Sequence, residues 1–126
     1  WLDQGCVDLE SPKVLRSSTG AWFRDPTYCG EDLPAKVQDY QNQGFQVVAT
    51  LPKANLDYWA VDYTQPTLIL VGNEGAGLSD ALRSTATLQV SIPLSAGIES
   101  LNAAIATAVI LYEAKRQRSK IKALVQ

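Results

Sequence analysis

Two short loops hold the residues whose types and spacing could do chemistry. The first is Gly72-Asn73-Glu74-Gly75-Ala76-Gly77, directly after the apolar run LILV at 68–71. The second is IPLSAGIESLN at 92–102, which leaves an apolar strand end, turns at Pro93 and feeds a long helical pattern. Small and turn-forming residues between a strand and a helix let backbone approach a ligand closely. Glu74, Ser100 and Asn102 would project from neighbouring strand ends into one pocket. Taken singly they are blander: Glu74 as a solvated carboxylate, Ser100 and Asn102 as helix caps. Two loops of one design, each behind a buried strand, suggest one site at the carboxyl ends of a parallel sheet.

GNEGAG fits neither common phosphate motif. A P-loop ends in Gly-Lys-Ser/Thr, whereas Gly77 is followed by Leu78 and Ser79. The dinucleotide fingerprint has another glycine order and an acid on a following strand, which is missing here. A tight strand–helix turn explains the loop equally well.

Composition narrows the chemistry further. The chain has 126 residues and no histidine, so the commonest general base and transition-metal ligand are absent. Any catalysis must use carboxylates, Lys, Arg, Tyr, Ser or the substrate itself, and no metal is expected. Cys6 and Cys29 form no CxxC pair and read as reduced, buried thiols. No apolar run approaches the roughly 18–20 residues of a membrane span. No signal-peptide pattern is visible, which makes the cytoplasm the expected location. Methionine is absent even at position 1, so the chain reads as a processed product or a piece of a longer protein. Net charge is −2, yet Lys115, Arg116, Arg118, Lys120 and Lys122 put +5 after Glu113 and leave −7 elsewhere. Such a cluster is either a patch for an anionic partner or a complement to a helix C-terminus.

The elements that must position these loops follow from pattern. A strand is expected over 1–7. Ser11 and Pro12 read as an N-cap and first helical residue for a short helix over 12–16. Leu33, Val37 and Tyr40 keep helical spacing over 31–43, and Gly44 stops the helix. Strands are expected at 45–51, 67–71 and 88–92, the first of them rich in β-branched residues. An aromatic group at Tyr58, Trp59 and Tyr63 reads as a core or covering patch. A short helix should cover 78–84. The last helix should run from 99 to about 120 with an apolar face of Leu101, Ile105, Ala108, Ile110 and Leu111. Its Ala-rich half would allow a close helix contact, within the fold or across a dimer. Alternating strands and helices predict one α/β domain over 1–126, with a mainly parallel sheet flanked by helices.

LILVGNEGAGLS, followed by VSIPLSAGIESLNAAIATAVILYEAKRQR, resembles the second and third motifs of the SpoU-type (TrmH-like) RNA 2′-O-ribose methyltransferases. VDLESPKVLRSSTGAWFR is similar to the stretch between that family's first and second motifs. The likeness covers nearly the whole chain, and the paired motifs at this spacing are highly specific. It implies a SPOUT fold, an α/β sheet whose C-terminal segment threads a trefoil knot, one of the rare exceptions to unknotted topology. It also implies a homodimer, S-adenosylmethionine as cofactor, and a ribose hydroxyl of tRNA or rRNA as methyl acceptor.

Residue by residue, the resemblance implies cofactor contacts at Thr50, Gly72, Ile92, Ser100 and Leu101, largely through backbone. Glu74 and Asn102 match polar residues of the catalytic and RNA-binding face. Arg16 lies in the matching RSSTGA stretch and would meet RNA phosphate, as would Lys115, Arg116 and Arg118. Transfer from a sulfonium needs an in-line hydroxyl and good positioning. Some group must take the hydroxyl proton. The family gives that task to an Arg of its first motif, N-x-G-x-x-x-R. No Asn precedes Asn42 in this sequence, and the motif is not found. The domain at 1–126 would therefore be N-terminally incomplete. The rivals are a catalytically impaired SPOUT-like RNA-binding or dimerisation module, and a generic nucleotide-binding α/β domain.

Overall fold

The computed structural model describes residues 1–124 apart from 4, 5, 7, 26, 31 and 99, with no side-chain description at 122 and 124. The chain divides into two compact units, Trp1–Lys36 and Val37–Gln126.

In the first unit, Ser11 caps α1 (Pro12–Ser17), its hydroxyl accepting from the Val14 amide at 3.4 Å, and Pro12 opens the helix. The chain reverses through Thr19 and Gly20, both at positive φ, into a 3₁₀ turn at Ala21–Phe23. The strand expected over 1–7 reduces to a single parallel bridge between Leu2 and Cys29; residues 4, 5 and 7 lie outside the described set. Trp1 stacks on Tyr28 with ring centroids 5.0 Å apart. Cys6 and Cys29 are free but exposed, which corrects the expectation that they are buried. None of the described residues of this unit is buried, so no apolar interior among them receives the thiols.

Helix α2 (Leu33–Asn42) stops at Gly44, whose φ of +88° a residue with a side chain adopts only with strain. Its expected start at Glu31 falls outside the described residues. The second unit is built on a four-stranded sheet of order β2-β4-β1-β3, parallel at every pairing. The strands are β1 (Gln46–Thr50), β2 (Leu56–Asp57), β3 (Thr67–Val71) and β4 (Leu88–Ser91). β1 carries three consecutive buried residues, Val47, Val48 and Ala49, as a central strand covered on both faces requires. Each fully buried Val contributes about 1.5–3 kcal/mol. The core joins Val48, Val61, Tyr63, Val90, Ile110 and Ala114. Tyr63 is fully buried, while its neighbour Trp59 stays half exposed, so the aromatic group is part core and part surface.

Helix α3 (Asp80–Ser84) is capped by Ser79, whose hydroxyl accepts from the Leu82 amide. Helix α4 (Ala103–Leu124) is the long terminal helix. Its expected single apolar face divides in two. Ile110 and Ala114 enter the core, whereas Ile105, Leu111 and Tyr112 stand on an exposed stripe. Gln117 latches α4 to the 61–65 segment: its Nε2 donates to the Val61 carbonyl at 2.9 Å, and its Oε1 accepts from the Tyr63 amide at 2.9 Å.

Candidate functional site

Strand order decides where the two loops meet. β3 and β4 flank β1 on either side and run the same way, so the loops that follow all three strands emerge at one edge. That edge opens into a cavity of about 360 Å³. One wall is Thr50, Leu51 and Pro52 after β1. A second is the segment from Val71 through Leu78 after β3. The third is Ile92, Leu94, Ser100 and Leu101 after β4, continued by Ala103 and Ala106 of α4. The volume suits a small organic ligand, and the apolar walls with backbone groups at the mouth suit one that is part apolar and part polar.

Thr50, Gly72, Ile92, Ser100 and Leu101 all line this single cavity, together with Glu74. Asn102 does not line it but donates from Nδ2 to Glu74 Oε1 at its rim. Glu99, between the two, lies outside the described residues. Arg16 sits exposed on α1, in the other unit. Lys115, Arg116 and Arg118 are exposed on the later half of α4. From Asn102 to Lys115 a helix rises roughly 20 Å, so these cations do not share the cavity.

The glycine loop is held by its own backbone. Asn73 N donates to the Gly77 carbonyl at 3.1 Å, and Gly77 N returns to Asn73 at 2.8 Å. Asn73 Oδ1 accepts from the amides of Gly75 (2.8 Å) and Ala76 (3.2 Å), so the loop is also an Asx turn. A Cβ at Gly72 would stand 2.4 Å from the carbonyl carbon of Gly77 and 2.5 Å from the Leu78 nitrogen. The space a side chain would need there is filled by the far side of the loop. Thr50 anchors the opposite wall, its hydroxyl donating to the Leu70 carbonyl across the β1–β3 pair.

Sequence reasoning overlooked Asn73, Leu94 and Arg83. An Asn ahead of a glycine-rich turn is itself an Asx signal. Leu94 carried no signal beyond hydrophobicity. Arg83 lines the cavity and pairs with Asp80 at 3.1 Å, three residues back on α3. Among the described residues no group of three His, Cys, Asp or Glu could hold a metal ion. No helix among them is long and apolar enough to cross a membrane.

The arginines of the basic cluster are engaged within the fold. Arg116 grips Glu113 with Nε at 2.7 Å and Nη2 at 2.6 Å. Gln117 donates to the same carboxylate at 2.8 Å. This hydrogen bonding, led by Arg116, holds the Glu113 pKa down at about 2 against the opposing effect of burial. Burial, with Glu113 nearby, pushes the Tyr63 phenol up to about 12.

Comparison with known proteins adds the lineage. Residues 1–112 match the SpoU rRNA methylase family. The chain is 45% identical to an uncharacterised tRNA/rRNA methyltransferase of Synechocystis sp., over 94% of this chain and 43% of that protein. It is 43% identical to a 23S rRNA (uridine(2479)-2′-O)-methyltransferase of Streptomyces viridochromogenes, over 89% of this chain and 41% of that one. The crystal structure of the SpoU methyltransferase AviRb from Streptomyces viridochromogenes, in complex with its cofactor AdoMet, superposes with a TM-score of 0.86 at 40% identity. That match covers 94% of this chain and 49% of AviRb. The chain thus spans less than half the length of each of these relatives. Its parallel sheet, its two loops and these matches place it in the SpoU methylase family.

Proposed function

We propose that this chain is the cofactor-binding part of an S-adenosylmethionine-dependent methyltransferase acting on a ribose 2′-hydroxyl in tRNA or rRNA. The observation that carries the reading is convergence. Thr50, Gly72, Ile92, Ser100 and Leu101, from three separate loops, line one cavity at the carboxyl ends of a parallel sheet. A relative with the same fold is an AdoMet complex.

The residues present fit such a group. Leu51, Val71, Ile92, Leu94 and Leu101 offer an apolar bed, and the Gly72–Gly77 loop brings backbone and the polar side chains of Asn73 and Glu74 to the same wall. When bound, S-adenosylmethionine supplies an electrophilic methyl group with a neutral thioether as leaving group. The protein's share is then positioning the acceptor in line and taking the hydroxyl proton. Under this reading the family's first-motif Arg does the latter in the intact protein.

RNA phosphate would meet Arg16 in the first unit and, in the second, the α4 cations Lys115, Arg116 and Arg118. A second copy would cover the Ile105, Leu111 and Tyr112 stripe, making a homodimer with the C-terminal knot of the family. The setting would be the cytoplasm, where these RNAs are made and matured.

Calorimetric titration with S-adenosylhomocysteine, with ATP as control, tests the reading. Selective binding at one site per chain is expected. A folded protein that ignores the homologue, or takes ATP equally well, overturns it.

A further inference from the structure

The first three amides of α4 are satisfied by two side chains from different loops. Asn102 Oδ1 accepts from Ala104 N at 2.9 Å and from Ile105 N at 3.3 Å. Glu74 Oε1 accepts from Ala103 N at 3.3 Å. The same Glu74 oxygen accepts from Asn102 Nδ2. These amides have no partner within a helix and need one from outside. Asn102 is therefore an ordinary N-cap, but Glu74 caps the helix from the glycine loop, 28 residues away in sequence. Its carboxylate also sits where the helix dipole favours negative charge. Both ends of the Asn102 amide are committed, one to its own helix and one to the other loop.

We infer that Glu74 and Asn102 form a strap that positions the cofactor pocket, and that neither takes part in proton transfer. Resting on the methyltransferase reading, this assigns a structural task to two residues that the resemblance places on the catalytic face. The strap ties the loop carrying Gly72, Gly75 and Gly77 to the helix carrying Ala103 and Ala106, and all five line the cavity. It is thus a direct side-chain link between two walls of the pocket.

The donor and acceptor of the strap can be exchanged, which gives a decisive test in the intact protein. In Asn102→Asp the cap on α4 survives, because Asp caps as well as Asn, but two carboxylates then face each other. In Glu74→Ala the acceptor is lost. Each should weaken S-adenosylhomocysteine binding by roughly 5- to 30-fold and lower the melting temperature. In the double variant Asn102→Asp/Glu74→Gln, the new amide at 74 donates to the new carboxylate at 102. Affinity and melting temperature should recover most of the loss.

A double variant no better than Asn102→Asp overturns the strap. So does a Glu74→Gln protein whose kcat collapses while its affinity and melting temperature hold, since that assigns Glu74 to the chemistry. If the unaltered protein does not bind the homologue, the cofactor reading fails instead. Recovery of the melting temperature in the double variant then still decides the strap.

Discussion

Arg118 donates from Nε to the carbonyl oxygen of Tyr63 at 2.8 Å, and its Nη2 reaches the Gln65 carbonyl at 3.3 Å. A residue that reads as a phosphate contact in the sequence is thus also a clamp between α4 and the segment that delivers Tyr63 to the core. Lys115, three residues earlier, lies with its Nζ 5.7 Å from the Tyr112 ring centre and holds no carbonyl. The two cations should therefore separate in experiment. Arg118→Ala should lower the melting temperature by roughly 3–6 °C. Lys115→Ala should leave it unchanged and flatten the dependence of log RNA affinity on log salt by about 0.7–0.9. Thermal denaturation beside filter binding at several salt concentrations checks both. An unchanged salt slope in Lys115→Ala, Arg116→Ala and Arg118→Ala alike would return the cluster to the service of helix and solubility.

The glycines of the first loop differ in what they tolerate. At Gly72 a Cβ would meet backbone at 2.4–2.5 Å, contacts that no rotamer change relieves. At Gly75 it would meet only Asn73 Oδ1, at 3.4 Å. Gly72→Ala should open the loop and abolish S-adenosylhomocysteine binding, whereas Gly75→Ala should cost at most a few-fold. Calorimetry on the two variants measures the contrast. Equal affinities would mean that the loop's own packing does not shape the pocket.

How far these relationships were legible beforehand varies with how local their causes are. β3 could be read as a strand from its continuous apolar, partly β-branched run, but the expected burial on both faces does not hold: it lies at the sheet edge and Leu70 alone of its residues is buried. The Ser11 and Gly44 boundaries were legible too, since caps act over three or four residues. Sheet order was not. Nothing in residues 88–91 says that β4 slips between β1 and β2, and that insertion is what brings the loops after β3 and β4 to either side of Thr50. The division of the α4 apolar face was hidden too, because Ile110 and Leu111 are equally hydrophobic and only tertiary packing separates them. Glu74 could be placed near Asn102 from the two loops' common position after neighbouring strands, but its service as a cap on α4 depends on a contact between loops. The short-range pattern of neither loop encodes it.

Glu113 provides a pH signature for the α4 latch. Its folded-state pKa, about 2, lies below the ordinary value of 4.5, chiefly because Arg116 hydrogen-bonds the ionised form. A depressed pKa means that the folded chain favours the carboxylate more than the unfolded chain does. The resulting stabilisation is fully present above about pH 4.5 and is lost as the pH falls toward 2. Glu113→Gln keeps a hydrogen-bonding side chain for Gln117 but removes the charge that Arg116 holds. At pH 6 the variant should therefore melt below the unaltered protein. The gap should narrow progressively from pH 4.5 toward pH 2, as Glu113 takes up its proton and loses the charge that the variant lacks. Because Gln117 also holds Val61 and Tyr63, the loss at pH 6 should be accompanied by faster amide exchange at Tyr63. Melting curves across that pH range decide the matter: a gap that stays constant down to pH 2 would show that the ion pair contributes nothing and that Gln117 alone secures the helix.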